Sequence, residues 1–152
     1  QGGLANTVNL SAGTGEVFQG GSVTNYNANG GAVLLDSGSY VSNFIAGPSY
    51  SGSAIVNNNG ANVNTLGAIG NGTAILESGA SVTSAFAAAY NNNAYGGTLL
   101  VSGNVGTVSG ANQGLVDVFS GANVSSFNVN GATAYLNGGS FATPPTVTGN
   151  GG

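Results

Sequence analysis

Short apolar runs separated by small polar turns recur along the chain, and a glycine closes each run. The runs read Glu-Val-Phe-Gln-Gly (16–20), Val-Leu-Leu-Asp-Ser-Gly (33–38), Ala-Ile-Val-Asn-Asn-Asn-Gly (54–60) and Ala-Ile-Leu-Glu-Ser-Gly (74–79). Leu-Leu-Val-Ser-Gly (99–103), Val-Asp-Val-Phe-Ser-Gly (116–121) and Ala-Tyr-Leu-Asn-Gly-Gly (134–139) complete the series. The closing glycines Gly20, Gly38, Gly60, Gly79, Gly103, Gly121 and Gly139 lie 18 to 24 residues apart. After each comes a second element, a Val followed three residues later by another apolar residue: Val23/Tyr26, Val41/Phe44, Val63/Leu66, Val105/Val108 and Val124/Phe127. Val82 is followed at that phase by Ala85 and Phe86. A flat strand places residues two apart on one face, so a spacing of three requires a bend if both point inward. The abundance of Gly, Asn, Ser, Thr and Val, with no lasting 3.6-residue stripe, argues against helix.

Repetition at this period predicts an all-β, single-domain β-solenoid of about seven coils spanning residues 1–152, with residues 143–152 as a partial coil and Gly-rich tail. Each repeat holds two short strands, with corners at Asn29-Gly30-Gly31, Asn71-Gly72 and Asn130-Gly131, residues that tolerate the left-handed backbone region. One repeat cannot bury its own apolar face. Stacking coils at the strand spacing sets Val on Val and aromatic on aromatic, and seven coils make a rod roughly 35 Å long. The expected inward stack is Phe18, Val23, Tyr26, Val41, Phe44, Val63, Leu66, Leu76, Val82, Val105, Val108, Phe119, Val124, Phe127 and Leu136.

The repeat length and the Gly- and Val-rich punctuation resemble the AIDA-type repeats of bacterial autotransporter adhesin passengers, which are punctuated by Ser-Gly-Gly, over about Leu4 to Ala142. Those passengers are longer and precede an outer-membrane barrel. The resemblance implies a β-solenoid exposed outside a bacterial cell, with adhesion or self-association as its role.

Composition removes most chemistry. There is no Lys, Arg, His, Cys, Met or Trp, charged residues make up 3%, and the formal charge is −4. Without His or Cys there is no Ser–His or Cys–His nucleophile and no usual zinc, haem or iron–sulfur ligand set. Without a cation nothing neutralises phosphates, so neither nucleic acid nor an anionic membrane is an expected partner. No apolar run reaches the roughly 20 residues of a membrane-spanning helix. We expect no enzyme and no cofactor. The hydrophobic fraction of 41% is ample for a core and sets the chain apart from a disordered one. A start at Gln1 with no basic leader leads to the expectation of a mature exported product.

The four carboxylates are Glu16, Asp36, Glu77 and Asp117, four, two, two and four residues before their glycines. Those offsets place them on one strand face, with Glu16 and Asp36 on neighbouring coils where a paired-carboxylate glycosidase site is conceivable. The substrate-binding Trp, Arg or His of such a site is missing, and a solvated acidic row is the preferred reading. Asp36 and Glu77, or Asn57–Asn59 with nearby carbonyls, are weak Ca²⁺ candidates, with at most one carboxylate per coil. Two repeats are longer at one corner, through 46–52 and 87–97. They carry Pro48, Tyr50, Tyr90, Asn92 and Tyr95 as candidate interaction residues for a sugar or a neighbouring subunit.

The ends carry the functional expectation. A strand begins almost at once at Leu4–Leu10, through Leu4, Val8 and Leu10, and the chain finishes on an incomplete coil through Phe141 and Val147. Neither end has a Lys or a helical cap. The expectation is therefore a secreted, extracellular homo-polymer assembling head to tail through these edges. The alternative is a monomeric adhesin that binds a glycan or cell surface. Ice binding ranks third, since Thr does not recur at one phase in successive coils.

Overall fold

The structure, a computed structural model, describes residues 2–47, 52–56, 60–89 and 96–149, with 52–56 described through the backbone alone. It is an all-β solenoid of about seven turns, and every pairing between its strands is parallel. Strands β1 (Leu4–Leu10), β3 (Ser22–Ala28), β5 (Tyr40–Ala46), β7 (Asn62–Ile69), β9 (Ser81–Ala88), β11 (Asn104–Ala111) and β13 (Asn123–Asn130) build the long sheet. The short strands β15 (Ser140–Phe141) and β16 (Thr146–Thr148) both pair with β13 and close that sheet. A narrower sheet runs in order through β2 (Thr14–Val17), β4 (Gly31–Leu35), β6 (Gly52–Val56), β8 (Thr73–Leu76), β10 (Thr98–Val101), β12 (Leu115–Phe119) and β14 (Thr133–Asn137).

Each coil is one long and one short strand, and the long one bends. The ladder between neighbouring long strands skips one position per coil: Asn6, Thr24, Ser42, Asn64, Thr83, Gly106 and Ser125. That skip is the corner required by the Val-x-x-apolar spacing, and it lets Val23 and Tyr26 both point inward within one strand. Five core columns result, illustrated in one coil by Val23, Tyr26, Ala28, Val33 and Leu35, all buried. The second column runs Val8, Tyr26, Phe44, Leu66, Ala85, Val108, Phe127. Within it Tyr26 and Phe44 stack with ring centroids 5.1 Å apart. Volume is balanced between columns, since a Cβ on Gly15 would collide with the Tyr26 hydroxyl.

Twelve of the fifteen expected inward residues are buried, and three need correction. Phe18 is 65% exposed and Phe119 36% exposed, because β2 and β12 turn Val17 and Val118 inward and the next residue faces out. Leu136 keeps its place, pairing with Val118 at the head of the fifth column, but is 40% exposed because no further strand lies on β14 among the described residues. The long corners also start later than expected. Ala46 and Ala87 are buried strand residues, Ala88 ends β9, and Ala89 bridges antiparallel to Gly96 across the excursion.

The closing glycines act in two ways. In Asp36–Ser39 and Glu77–Ala80 the fourth N–H donates to the first carbonyl, at 3.0 and 3.3 Å, and the third residue, Gly38 or Gly79, has a positive φ, as a type II turn requires. Gly103 has no such φ. Its coil cuts the turn short, and a Cβ there would lie 2.5 Å from the Glu77 carbonyl oxygen and 2.7 Å from that of Ala80. In the last coil the positive φ falls on Gly138, one residue before the expected Gly139.

Three outcomes test this core. Leu76→Ala should lower stability by about 2–5 kcal/mol, while Phe119→Ser should stay within about 0.5 kcal/mol, both read by urea denaturation. Gly103→Ala should cost about 1–3 kcal/mol, against a near-neutral Gly3→Ala, whose new Cβ meets nothing within 4 Å. Burial raises the Tyr26 hydroxyl above its ordinary 10.0, so the fold favours the neutral phenol. The unfolded chain then ionises first, and the Tyr26 contribution is complete below about pH 10 and lost as pH rises beyond it. Tyr26→Phe should shrink the drop in urea midpoint between pH 8 and pH 11, and an unchanged drop would refute the assignment.

Candidate functional site

The acidic residues do not converge. Glu16 and Asp117 occupy the same ladder column of the short sheet, which runs Glu16, Leu34, Ile55, Ile75, Leu100, Asp117, Tyr135, so five coils separate them. Asp36 follows β4 one coil above Glu16 and two residues further along. Asp117 is engaged with Asn137, whose Nδ2 donates to its Oδ1 at 2.8 Å. Asp36 and Glu77 take equivalent turn positions two coils apart, roughly 9–10 Å along the axis at the spacing of parallel strands. Among the described residues no three His, Cys, Asp or Glu side chains group to hold a metal ion. Asn57–Asn59 lie outside the described residues, as do Pro48, Tyr50, Tyr90, Asn92 and Tyr95.

The edge residues are all described. Leu4 is 89% exposed, and Val8 and Leu10 are half-buried at the foot of two core columns. Phe141 tops the first column on Val124, and Val147, exposed, tops the third on Val129. A groove of about 390 Å³ opens at the β1–β2 end, lined among others by Leu4, Ala5, Val8, Val17 and Tyr26. Phe127 and Phe141 meet edge to face at the opposite end, 5.7 Å between centroids.

One feature was not anticipated from the repeat. The outer side of the long sheet is built from columns of small hydrogen-bonding residues. A first rail runs Ser22, Tyr40, Asn62, Ser81, Asn104, Asn123, Ser140. The corner residues Thr24, Ser42, Asn64, Thr83 and Ser125 form a second rail two positions on, interrupted by Gly106. Between the rails the side chains of Val63 and Val82 turn into the core, leaving a shallow valley along the rod axis. It deepens to about 450 Å³ beside Tyr40, Asn62, Asn64, Ser81 and Thr83, and again to about 250 Å³ beside Asn123, Ser125 and Ser140. The rails are held by their own bonds. Asn123 Nδ2 donates to Asn104 Oδ1 at 3.0 Å, and Ser42 Oγ donates to the Tyr40 hydroxyl at 3.3 Å. A third column beyond the corner continues the pattern, with Asn43 Nδ2 donating to Asn25 Oδ1 at 3.0 Å.

Threonines also align more than expected. Thr73 and Thr98 face each other on successive coils, in a column that includes Thr14 and Thr133 but is broken by Ala32 and Leu115. No helix among the described residues is long and apolar enough to cross a membrane. No family model, no curated protein and no solved structure matches the chain.

Proposed function

We propose that the chain is a non-catalytic, extracellular structural solenoid that adds copies of itself head to tail through its terminal β-edges. The observation that carries this is the pair of end faces. Strands β1 and β2 at one end, and β14 and β16 at the other, each have one edge with no strand partner among the described residues. An unpaired edge is a row of N–H and C=O groups ready to pair with another chain.

The side chains at the two ends are complementary in size. At the β1–β2 end the core columns finish on small or medium residues, Ala5, Val8, Leu10, Gly15 and Val17, and all of these but Leu10 line the 390 Å³ groove. At the other end they finish on Phe141, Phe127, Val147, Ala134 and Leu136. Setting one end on the other places β1 of the next copy on β15 and β16, with Ala5 toward Phe141 and Leu10 toward Val147, which continues the first and third columns of the long sheet. Such a contact is heterologous and repeats without closing, which gives a filament. Placement at a bacterial cell surface rests on the AIDA-type resemblance of the repeat, and the chain's Cys-free composition suits a fold held by ladders alone.

Sedimentation equilibrium over a range of concentrations tests this. The mass should grow through multiples of the single chain, and electron microscopy should show rods of uniform width. Leu136→Lys and Val147→Lys place a charge on the β14–β16 end, at residues already exposed, and should weaken association about tenfold or more. A single-chain mass at every concentration, or unchanged association of the two variants, would overturn the proposal.

A further inference from the structure

We infer that the valley on the side of the rod is a binding site for a linear, neutral polysaccharide lying parallel to the rod axis. The valley reaches an end face only at its 250 Å³ stretch, beside Ser140 and Phe141, and its Tyr40 stretch does not depend on assembly.

The two cavities on this face lie coils apart, yet the same two rails line both. They are two deeper stretches of one valley, whose lining repeats once per coil at roughly 4.7–4.9 Å. A ligand that meets it along its length must itself repeat at a similar pitch. One pyranose unit of an unbranched polysaccharide is of that length.

Chemistry then narrows the class. The rails offer amides and hydroxyls, which both donate and accept, as sugar hydroxyls require. No cation exists anywhere in the chain to meet an anionic polymer, and its formal charge of −4 repels one. Tyr40 adds an apolar platform. Its ring is 44% exposed, walls the deeper stretch, and is steadied through the Ser42 hydroxyl at 3.3 Å. An exposed aromatic face beside convergent Asn, Ser and Thr side chains suits the apolar face and hydroxyl rim of a neutral sugar. The bond from Asn123 to Asn104 fixes one rail before any ligand arrives, which lowers the ordering cost of binding.

Native gel electrophoresis through gels containing soluble polysaccharide tests the site, at a concentration where sedimentation finds single chains. The neutral probes are hydroxyethylcellulose, a β-1,3-glucan, a galactomannan and dextran, and the anionic probe is polygalacturonate. At least one neutral polymer should retard the chain, and polygalacturonate should not. Tyr40→Ala should weaken that retardation about fivefold or more, while Tyr135→Ala, an exposed ring on the short sheet outside the valley, should leave it unchanged. Free mobility in all four neutral polymers, equal retardation by polygalacturonate, or equal loss in the two variants would each overturn the inference. A chain that never assembles but is retarded through Tyr40 keeps this site and loses only the head-to-tail reading.

Discussion

The parallel backbone ladder between coils is the constraint on which everything else depends. Once strands stack at about 4.7–4.9 Å in fixed register, every residue has its counterparts from neighbouring coils directly above and below it. Side chains must then be chosen by column. Tyr26 on Phe44 is possible because both are flat and lie 5.1 Å apart, 10° from parallel. The bulk they add is matched elsewhere, by Gly15 under the Tyr26 hydroxyl and Ala28 and Ala46 in the adjacent column. The ladder also dictates where glycine is needed, in left-handed turns at Gly38 and Gly79 and against two carbonyls at Gly103.

The fold was legible because the repeat writes the ladder into the sequence. Val23, Val41, Val63, Val82, Val105 and Val124 mark one column without any knowledge of the structure, and the three-residue step to Tyr26 or Phe44 already demands a corner. What the sequence left ambiguous was the face of the residues beside each turn. Val17 and Phe18, or Val118 and Phe119, are both apolar neighbours, and period two allows only one of each pair inside. The core takes the smaller one, because its column continues through Leu35, Leu76 and Val101, and the phenylalanine is turned into solvent.

The valley was written in the same repeat but needs a different reading. Most column Val residues have polar side chains on either side: Ser22 and Thr24, Asn62 and Asn64, Ser81 and Thr83, Asn123 and Ser125. A search for catalytic or metal-binding residue types passes over such a pattern, because no single Asn or Ser in it is unusual. It becomes a surface feature only when the ladder lines the coils up and the skipped corner position brings the second rail beside the first.

The same geometry explains why the chain carries so little charge. A like-charged pair in one column on adjacent coils would sit at roughly 4.8 Å, costing about 1 kcal/mol in bulk water and several times that near a low-dielectric surface. Repeating a charged residue through seven coils would multiply that cost. The carboxylates are spaced accordingly, with Asp36 and Glu77 two coils apart and Glu16 and Asp117 five. An amide escapes the problem because it donates to the copy on one side and accepts from the copy on the other. Asn27 to Asn9 at 2.9 Å, Asn43 to Asn25 and Asn123 to Asn104 are three such pairs, each spanning one coil. Column stacking thus favours uncharged, self-complementary polar groups on the outer face, the groups that also match a neutral ligand with the same axial repeat.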